Sequence, residues 1–468
     1  MKTKCKMKNL KLAVAVVVSV AGGTAWAQSD VNQDLRALKE QVRVLTEKIQ
    51  SIEERTGSSS NLPPTLARGG TNSLPRIEIG SEGFVIASAD GQHVLKLRGM
   101  IQADSRWYFG NRTALDTFLL RRVRPIFEGT LFRDLDFRFL PDFGLGQTVI
   151  QDAWLNYRFT PALQLQAGKY KTPLGLEFIQ HDAFSLFTER ALPTDLVPGR
   201  DVGVTLHGDL ARGAVSYSLG VFNGVADGAS GDLERTDSDK DMVGRVFVQP
   251  FKSGETKALK GLGLGVAGSY GVARGTNSLA SYKTDGQQTF FAYRNSATGG
   301  ANVTADGEHL RFSPQGYYYY GPIGLLGEYV VSSQQVRRTD GAFSKKTARL
   351  ENTAWQVAAS VVLTGEDASY TGMVPRRNFD WSAGGWGALE LAARHSELSI
   401  DSQAFPLFAA PATSASAARA WAVGLNWYLN PNLKICTDFF HTDFSGGKTG
   451  ATTKQAENAV FTRMQVNF

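Results

Sequence analysis

The last eleven residues, Asn458 to Phe468, alternate. Phe468, Val466, Met464, Thr462 and Val460 fall on one face of a strand, and Asn467, Gln465, Arg463 and, less well, Phe461 fall on the other. One apolar and one wet face over about ten residues is what a strand crossing a bilayer needs. The same period recurs from Ile77 onward. Its clearest case sets Leu95, Leu97, Gly99, Ile101, Ala103 and Trp107 against Lys96, Arg98, Gln102, Asp104 and Arg106. Similar segments follow at 119–133, 134–143, 149–159, 163–171, 201–207, 214–222, 242–251 and 262–270, then at 310–318, 323–333, 353–363, 387–396, 419–429 and 433–440. With the terminal strand, the pattern predicts an all-β fold, a transmembrane antiparallel β-barrel of about 16 strands over 77–468. An even count is what a single-chain bacterial barrel requires when both of its ends lie on one side. Short turns such as Tyr428–Asn432 alternate with long polar segments such as Ser278–Glu308 and Ser332–Glu351, which read as outer loops.

Ahead of the barrel the period changes. Val31, Leu35, Leu38, Val42, Leu45, Ile49 and Ile52 form a heptad seam, so residues 28–56 read as a short periplasmic coiled-coil helix. Two strands, three strands, or packing on its own barrel all fit the seam. Residues 57–76, rich in Gly, Ser, Asn and Pro, read as a flexible linker. Residues 1–27 read as a signal peptide: five early lysines, an apolar Leu12–Ala21 and the small-x-small site Ala25-Trp26-Ala27. A strand ending on an aromatic carboxy-terminal residue resembles the terminal signal of bacterial outer-membrane barrels, and this places the chain in the bacterial outer membrane.

Composition removes several readings. The net charge is +6, but residues 1–27 carry five lysines and no acid, so the mature chain keeps only +1. Global basicity therefore gives no reason to expect nucleic acid. After the signal, no stretch of 18 apolar residues remains for a membrane helix. Cys5 leaves with the signal and Cys436 stands alone, without the spacing of a disulfide or a metal motif. Gly446-Gly447-Lys448-Thr449 lacks the first glycine and the strand–loop–helix setting of a phosphate loop. Gly261, Gly263, Gly265 and Gly268 lie in a strand with Leu262, Leu264 and Val266 pointing outward, and read as small lumen residues. His207-Gly208-Asp209 and His441-Thr442-Asp443 lack a nucleophile or third ligand. No catalytic residue, cofactor or metal site is expected.

The placement of charge is more informative. Alternation puts Arg98, Arg106, Arg122, Arg124, Arg138 and Arg158 on the lumen face of the first four strands. On the opposite face an arginine at the bilayer midplane would cost roughly 2–4 kcal/mol. In a water-filled channel these guanidiniums attract anions and bind carboxylate or phosphate bidentately. Equally, Asp104, Glu128, Asp134, Asp136, Asp142 and Asp152 on the same wall can neutralise them and leave a weakly selective pore. Arg121, out of phase with its neighbour, is expected at an interface. Phe178 to Arg200 breaks the strand period, is too long for a turn and too apolar for a solvated loop. It reads as a loop folded into the lumen, about 178–200, with Lys169, Lys171, His181, Glu189, Arg190 and Arg200 as constriction candidates. Glu189 beside Arg190 is equally a structural ion pair, and His181 a solvated loop histidine.

With these pieces in place the chain resembles the phosphate-selective porin O and P family from about Gly83 to Phe468. The resemblance is carried by Gly83-Phe84 through Ser88-Ala89-Asp90-Gly91 to Leu95-Lys96-Leu97-Arg98-Gly99, then by Arg121-Arg122-Val123-Arg124 and Asp152-Ala153-Trp154. The run from Gly168 to Glu177, Phe187-Thr188-Glu189-Arg190, and Pro198 to Val204 complete it. It implies a trimer of sixteen-stranded barrels and passage of phosphate or related anions. Arg98, Arg122 and Arg124 would form an arginine ladder, with Asp152 and Arg190 near the constriction. The family's phosphate-selective members place a lysine in the infolded loop roughly where Gln180-His181-Asp182 stands, and this chain has none there. The expected protein is a passive outer-membrane porin for small hydrophilic solutes with a preference for anions. It would be a homotrimer among outer-membrane lipids and lipopolysaccharide. The alternative is a barrel that anchors a periplasmic coiled coil for structural or interaction purposes.

Overall fold

The computed structural model describes residues 74–80, 83–110, 114–233, 237–275, 279–296, 300–340, 344–448 and 453–468. The signal segment, the heptad seam and most of the linker lie outside the described residues.

A short hairpin comes first, β1 (Arg76–Gly80) and β2 (Gly83–Ala87). The barrel wall follows: β3 (Val94–Gly110), β4 (Thr117–Leu131), β5 (Leu135–Asp142), β6 (Val149–Thr160), β7 (Leu163–Lys171), β8 (Arg200–Leu210), β9 (Val215–Phe222), β10 (Asp241–Val248) and β11 (Leu262–Ala273). Two short strands in a loop, β12 (Tyr282–Lys283) and β13 (Thr289–Phe291), pair with each other. The wall resumes with β14 (Ala301–Tyr320), β15 (Ile323–Asp340), β16 (Ser344–Val362), β17 (Ala388–Ser399), β18 (Ala415–Tyr428), β19 (Leu433–Gly446) and β20 (Glu457–Asn467). Each wall strand pairs antiparallel with the next, and β20 returns to β3 with Asn467 opposite Met100 and Glu457 opposite Gly110. The sheet closes as a sixteen-stranded antiparallel barrel without a free edge. Strand β2 takes the edge of β3 below Met100, with Phe84 opposite Leu97, so this hairpin is not part of the wall.

Alternation places the side chains as their chemistry requires. Along β20, Met464 is 54% exposed while Arg463 is 2% exposed, lumen-side. Phe468 and Gly99 exchange two backbone hydrogen bonds at 2.8 and 3.0 Å, and a Cβ on Gly99 would lie 2.6 Å from the Phe468 ring. The terminal aromatic thus sits in a gap that only glycine leaves open.

One irregularity changes a sequence expectation. Between β3 and β4, Gln102 pairs with Arg122 but Ala103 pairs with Leu120, so Arg121 is the extra residue of a β-bulge. Beyond the bulge the parity flips, which leaves Phe118 and Leu120 exposed on the outer face. Arg121 therefore turns into the lumen beside Arg122 rather than to an interface.

The wall is uneven in height. Strands β5, β9 and β10 have eight residues each, whereas β14, β15 and β16 have 20, 18 and 19. The segment 332–351, read from sequence as an outer loop, is mostly the paired upper parts of β15 and β16, with Gln334 opposite Leu350. Its polar side chains on both faces hide the strand period, while Val336 and Leu350 are buried. The segment 278–308 is likewise not a purely solvated loop. Phe290 and Phe291 are fully buried, and Asp285 reaches Arg394 inside the barrel at 2.7 Å.

The loop between β7 and β8, residues 172–199, enters the lumen. It contains one helical turn, α1 (Leu176–Ile179), and a 3-10 turn at Leu192–Leu196. Leu174, Leu192, Leu196 and Val197 bury against Val330, Val336, Leu350, Ala354 and Leu398 of the tall wall. At about 1.5–3 kcal/mol for each aliphatic side chain removed from water, this packing holds the loop inside.

Candidate functional site: the lumen constriction

The infolded loop is seated by hydrogen bonds to the wall it crosses. Glu328 on β15 accepts from the Leu176 backbone N–H at 2.7 Å, and Gln356 on β16 donates to both Glu177 and Glu328 at 2.8 and 2.7 Å. Further along, Asn426 donates to the Leu186 carbonyl, Lys434 to the Ser185 carbonyl and Gln465 to the Ala183 carbonyl. The Thr188 N–H donates to Asp438 at 2.6 Å. The loop therefore spans the lumen from β7 and β8 to β19 and β20.

Two charge clusters meet on it. The first centres on Asp182, which pairs with Arg124 and Arg190 in short contacts and with Lys171 at 3.2 Å. Arg122 and Arg200 lie 3.5 and 4.0 Å from the same carboxylate. Arg124 also pairs with Asp142 at 2.7 Å, and Arg200 with Asp152 at 2.7 Å. Arg138 lies 3.4 Å from Asp152 and 3.5 Å from Glu128, which also takes Arg98 at 3.1 Å. Seven cations (Arg98, Arg122, Arg124, Arg138, Lys171, Arg190, Arg200) thus face four carboxylates, an excess of three positive charges. Burial opposes ionisation of Asp182, but Lys171, Arg122, Arg190 and Arg124 outweigh it and hold its carboxyl well below the usual range.

The second cluster centres on Glu189. It takes Arg121 through two hydrogen bonds of 2.7 and 3.1 Å and Arg106 at 2.6 Å. Arg463 on β20 pairs with Asp104 at 2.6 and 2.8 Å, and Arg106 also reaches Asp104 at 2.8 Å. Arg394 on β17 bridges Glu177 at 3.1 Å and Asp285 at 2.7 Å. Here four arginines meet four carboxylates. Burial opposes ionisation of Glu189 too, and Arg121, Arg106 and Arg463 keep it ionised, its carboxyl well below the usual range.

The structure sorts the sequence candidates. Arg98, Arg122, Arg124, Arg138, Lys171, Arg190, Arg200 and Asp152 gather around or next to Asp182. Arg106 and Glu189 belong to the matched cluster instead. Glu189 and Arg190, adjacent in sequence, turn to different clusters and do not pair with each other. Arg158 pairs with Asp136 at 3.3 Å near the turn at Arg133, away from the constriction. Lys169 pairs with Asp232 rather than with the loop. His181 is half-buried on the wall of the lumen: it packs on Phe184, and burial first, then Lys171, Arg138 and Arg98, push its pKa down to about 4 against the pull of Asp182. It is neutral at physiological pH. Sequence reasoning missed Arg394, Arg463, Asp285 and Arg245. The alternation of β20 already put Arg463 on the wet face, and Arg394 alternates in the same way with Leu391 and Ala393 in β17, while nothing local marks Asp285 or Arg245.

Two cavities flank the loop. One, about 340 Å³, lies toward the barrel end that holds Phe468, and Arg124, Arg138, Lys171 and Arg200 line it. The other, about 400 Å³, lies on the opposite side between the loop and the β12–β13 hairpin, lined by Arg121, Glu189, Arg190, Asp195 and Lys283. Among the described residues no group of side chains is placed to hold a metal ion.

A closed barrel with charged lumen walls, narrowed by an infolded loop, is an outer-membrane channel for small solutes. The chain belongs to the phosphate-selective porin O and P family, whose model matches residues 95–468. No curated protein sequence is significantly similar to it. Among solved structures, it is similar to the outer membrane channel DcaP of Acinetobacter baumannii (11% identity, 82% of this chain and 99% of that one, TM-score 0.51). Others are in-vitro folded OmpT of Vibrio cholerae (11% identity, 81% and 98%, TM-score 0.49) and Salmonella typhi OmpF in complex with daunomycin (13% identity, 81% and 98%, TM-score 0.47). At these identities the likeness concerns the fold.

Proposed function

We propose that the channel passes small hydrophilic solutes passively and prefers anions, phosphate or related anions among them. The observation that supports this reading is the excess of three positive charges around Asp182, where the infolded loop crosses the lumen. Fixed guanidiniums there lower the electrostatic barrier to anions and can exchange bidentate hydrogen bonds with them. Asp182 itself does not reverse the sign, because five cations surround it. The apolar outer face at the short strand β5, with Phe139 on it and Phe127 and Leu155 on its neighbours β4 and β6, supports a homotrimer in outer-membrane lipid and lipopolysaccharide, each copy covering another's low wall. Reversal potentials of the purified protein in planar bilayers under a KCl gradient test the selectivity. Chloride preference is expected, and potassium preference would refute the reading.

A further inference from the structure

The cavity on the Phe468 side of the loop carries one cation, Arg245, that feels the Glu328 carboxylate at a distance but forms no ion pair with it among the described residues. Arg245 on β10 lines it, with its Nε donating to Gln315 at 3.0 Å and its guanidinium 4.6 Å from the Phe247 ring centroid. The two terminal nitrogens of Arg245 have no partner among the described residues. The other arginines of this cavity, Arg124, Arg138 and Arg200, each meet a carboxylate. A guanidinium with both terminal nitrogens open is a bidentate receptor for a carboxylate.

Much of the rest of the cavity wall is apolar. Trp154 packs against the cluster of Tyr170, Phe222 and Val243, and both Trp154 and Tyr170 line the cavity. The Tyr170 hydroxyl is spent on Thr205 at 2.7 Å, so the ring is what this residue offers. Met100, Leu140 and Ile179 line it as well. A compact inorganic anion would use the guanidiniums and leave these surfaces wetted. An anion with a planar apolar body uses both, by stacking and by burial of its ring.

We propose that this cavity is a binding subsite for aromatic monocarboxylates, the carboxylate held by Arg245 and the ring laid against Trp154 and Tyr170. The subsite rests on the reading of the channel as anion-preferring and adds a solute class to it. The probes are benzoate, acetate and inorganic phosphate, each titrated against the KCl current of the full chain in planar bilayers. Benzoate is expected to reduce the current at a concentration about tenfold lower than acetate, the ring accounting for the difference. Arg245→Gln is expected to weaken the benzoate effect about tenfold, and Trp154→Ala to erase the advantage of benzoate over acetate. Equal benzoate and acetate effects in the wild type would overturn the proposal without any variant, as would a benzoate effect unmoved in a folded R245Q barrel. Heat-dependent gel mobility reports folding. Chloride preference without a benzoate advantage overturns the subsite alone, whereas potassium preference in the same bilayers overturns the anion reading beneath it.

Discussion

Around Asp182 seven cations face four carboxylates, while in the cluster of Glu189, Asp104, Glu177 and Asp285 four arginines meet four acids, with Glu328 and Asp438 behind them. Both regions are buried, arginine-rich and built partly from the same strands. If the channel prefers anions as proposed, a ladder of lumen arginines is not in itself the selectivity device. Matched arginines seat the loop, since a buried charge is tolerable only when paired. On that reading the unmatched ones would set the field that a permeating ion meets.

Breaking the matched side should have the largest effect. Glu189→Ala leaves Arg121 without a carboxylate, while Arg106 keeps Asp104 at 2.8 Å, and a loss of about 3 kcal/mol is expected from the unpaired charge. Chemical unfolding in detergent should show the lower midpoint, and a released loop should raise single-channel conductance. Unchanged stability would mean that Arg121 finds water instead.

Thinning the Asp182 side should act on selectivity before stability, because Asp182 keeps Lys171, Arg190 and Arg200, and Asp142 keeps the Val123 and Gly144 N–H groups. Arg122→Ala combined with Arg124→Ala lowers the local excess from three charges to one. The chloride-to-potassium permeability ratio should fall by about two- to fivefold. A ratio that does not move would place these two side chains off the ion path.

The opposite cavity offers a smaller, pH-dependent contrast. Asp195 accepts from the Lys283 N–H at 2.8 Å, and burial together with Asp285 and Asp227 pushes its pKa up to about 8. Below that pH it is neutral; as pH rises from 7 to 9 it ionises and adds a negative charge to this side. Anion preference should therefore decline across that window, and Asp195→Asn should flatten the decline. The smallest effect is expected from His181→Ala. With a pKa near 4, His181 carries no charge between pH 6 and 8, so selectivity in that range should stay constant in the variant. A change there would show that the ring takes up a proton in the open channel.

How much of this could be read in advance follows from the range of each interaction. Strand existence and facing are local: alternation from Val94 to Gly110 and from Glu457 to Asn467 already separates lipid from lumen. The infolded loop is nearly as legible, because an apolar, aperiodic run between two strong strands has nowhere else to bury Leu174, Leu192 and Leu196. The bulge at Arg121 was not legible, since one extra residue in a pairing leaves no mark in composition yet reverses every face beyond it. Nor were the partners of Glu189, which come from β3, β4 and β20.

By itself, then, the sequence determined a barrel of even strand number, its membrane, its lumen arginines and the presence of a constriction, because period-two patterning and burial of apolar runs act over neighbouring residues. Only the tertiary structure decided which charges cancel. Arg106 and Arg463, 357 positions apart in the chain, share Asp104, whereas Arg122 and Arg124, two apart, add to an excess. Closing the sheet brings β20 against β3 and drops a loop from β7 across the lumen. Coulomb interactions follow distance in space, and that is set by barrel closure and loop docking rather than by order along the chain.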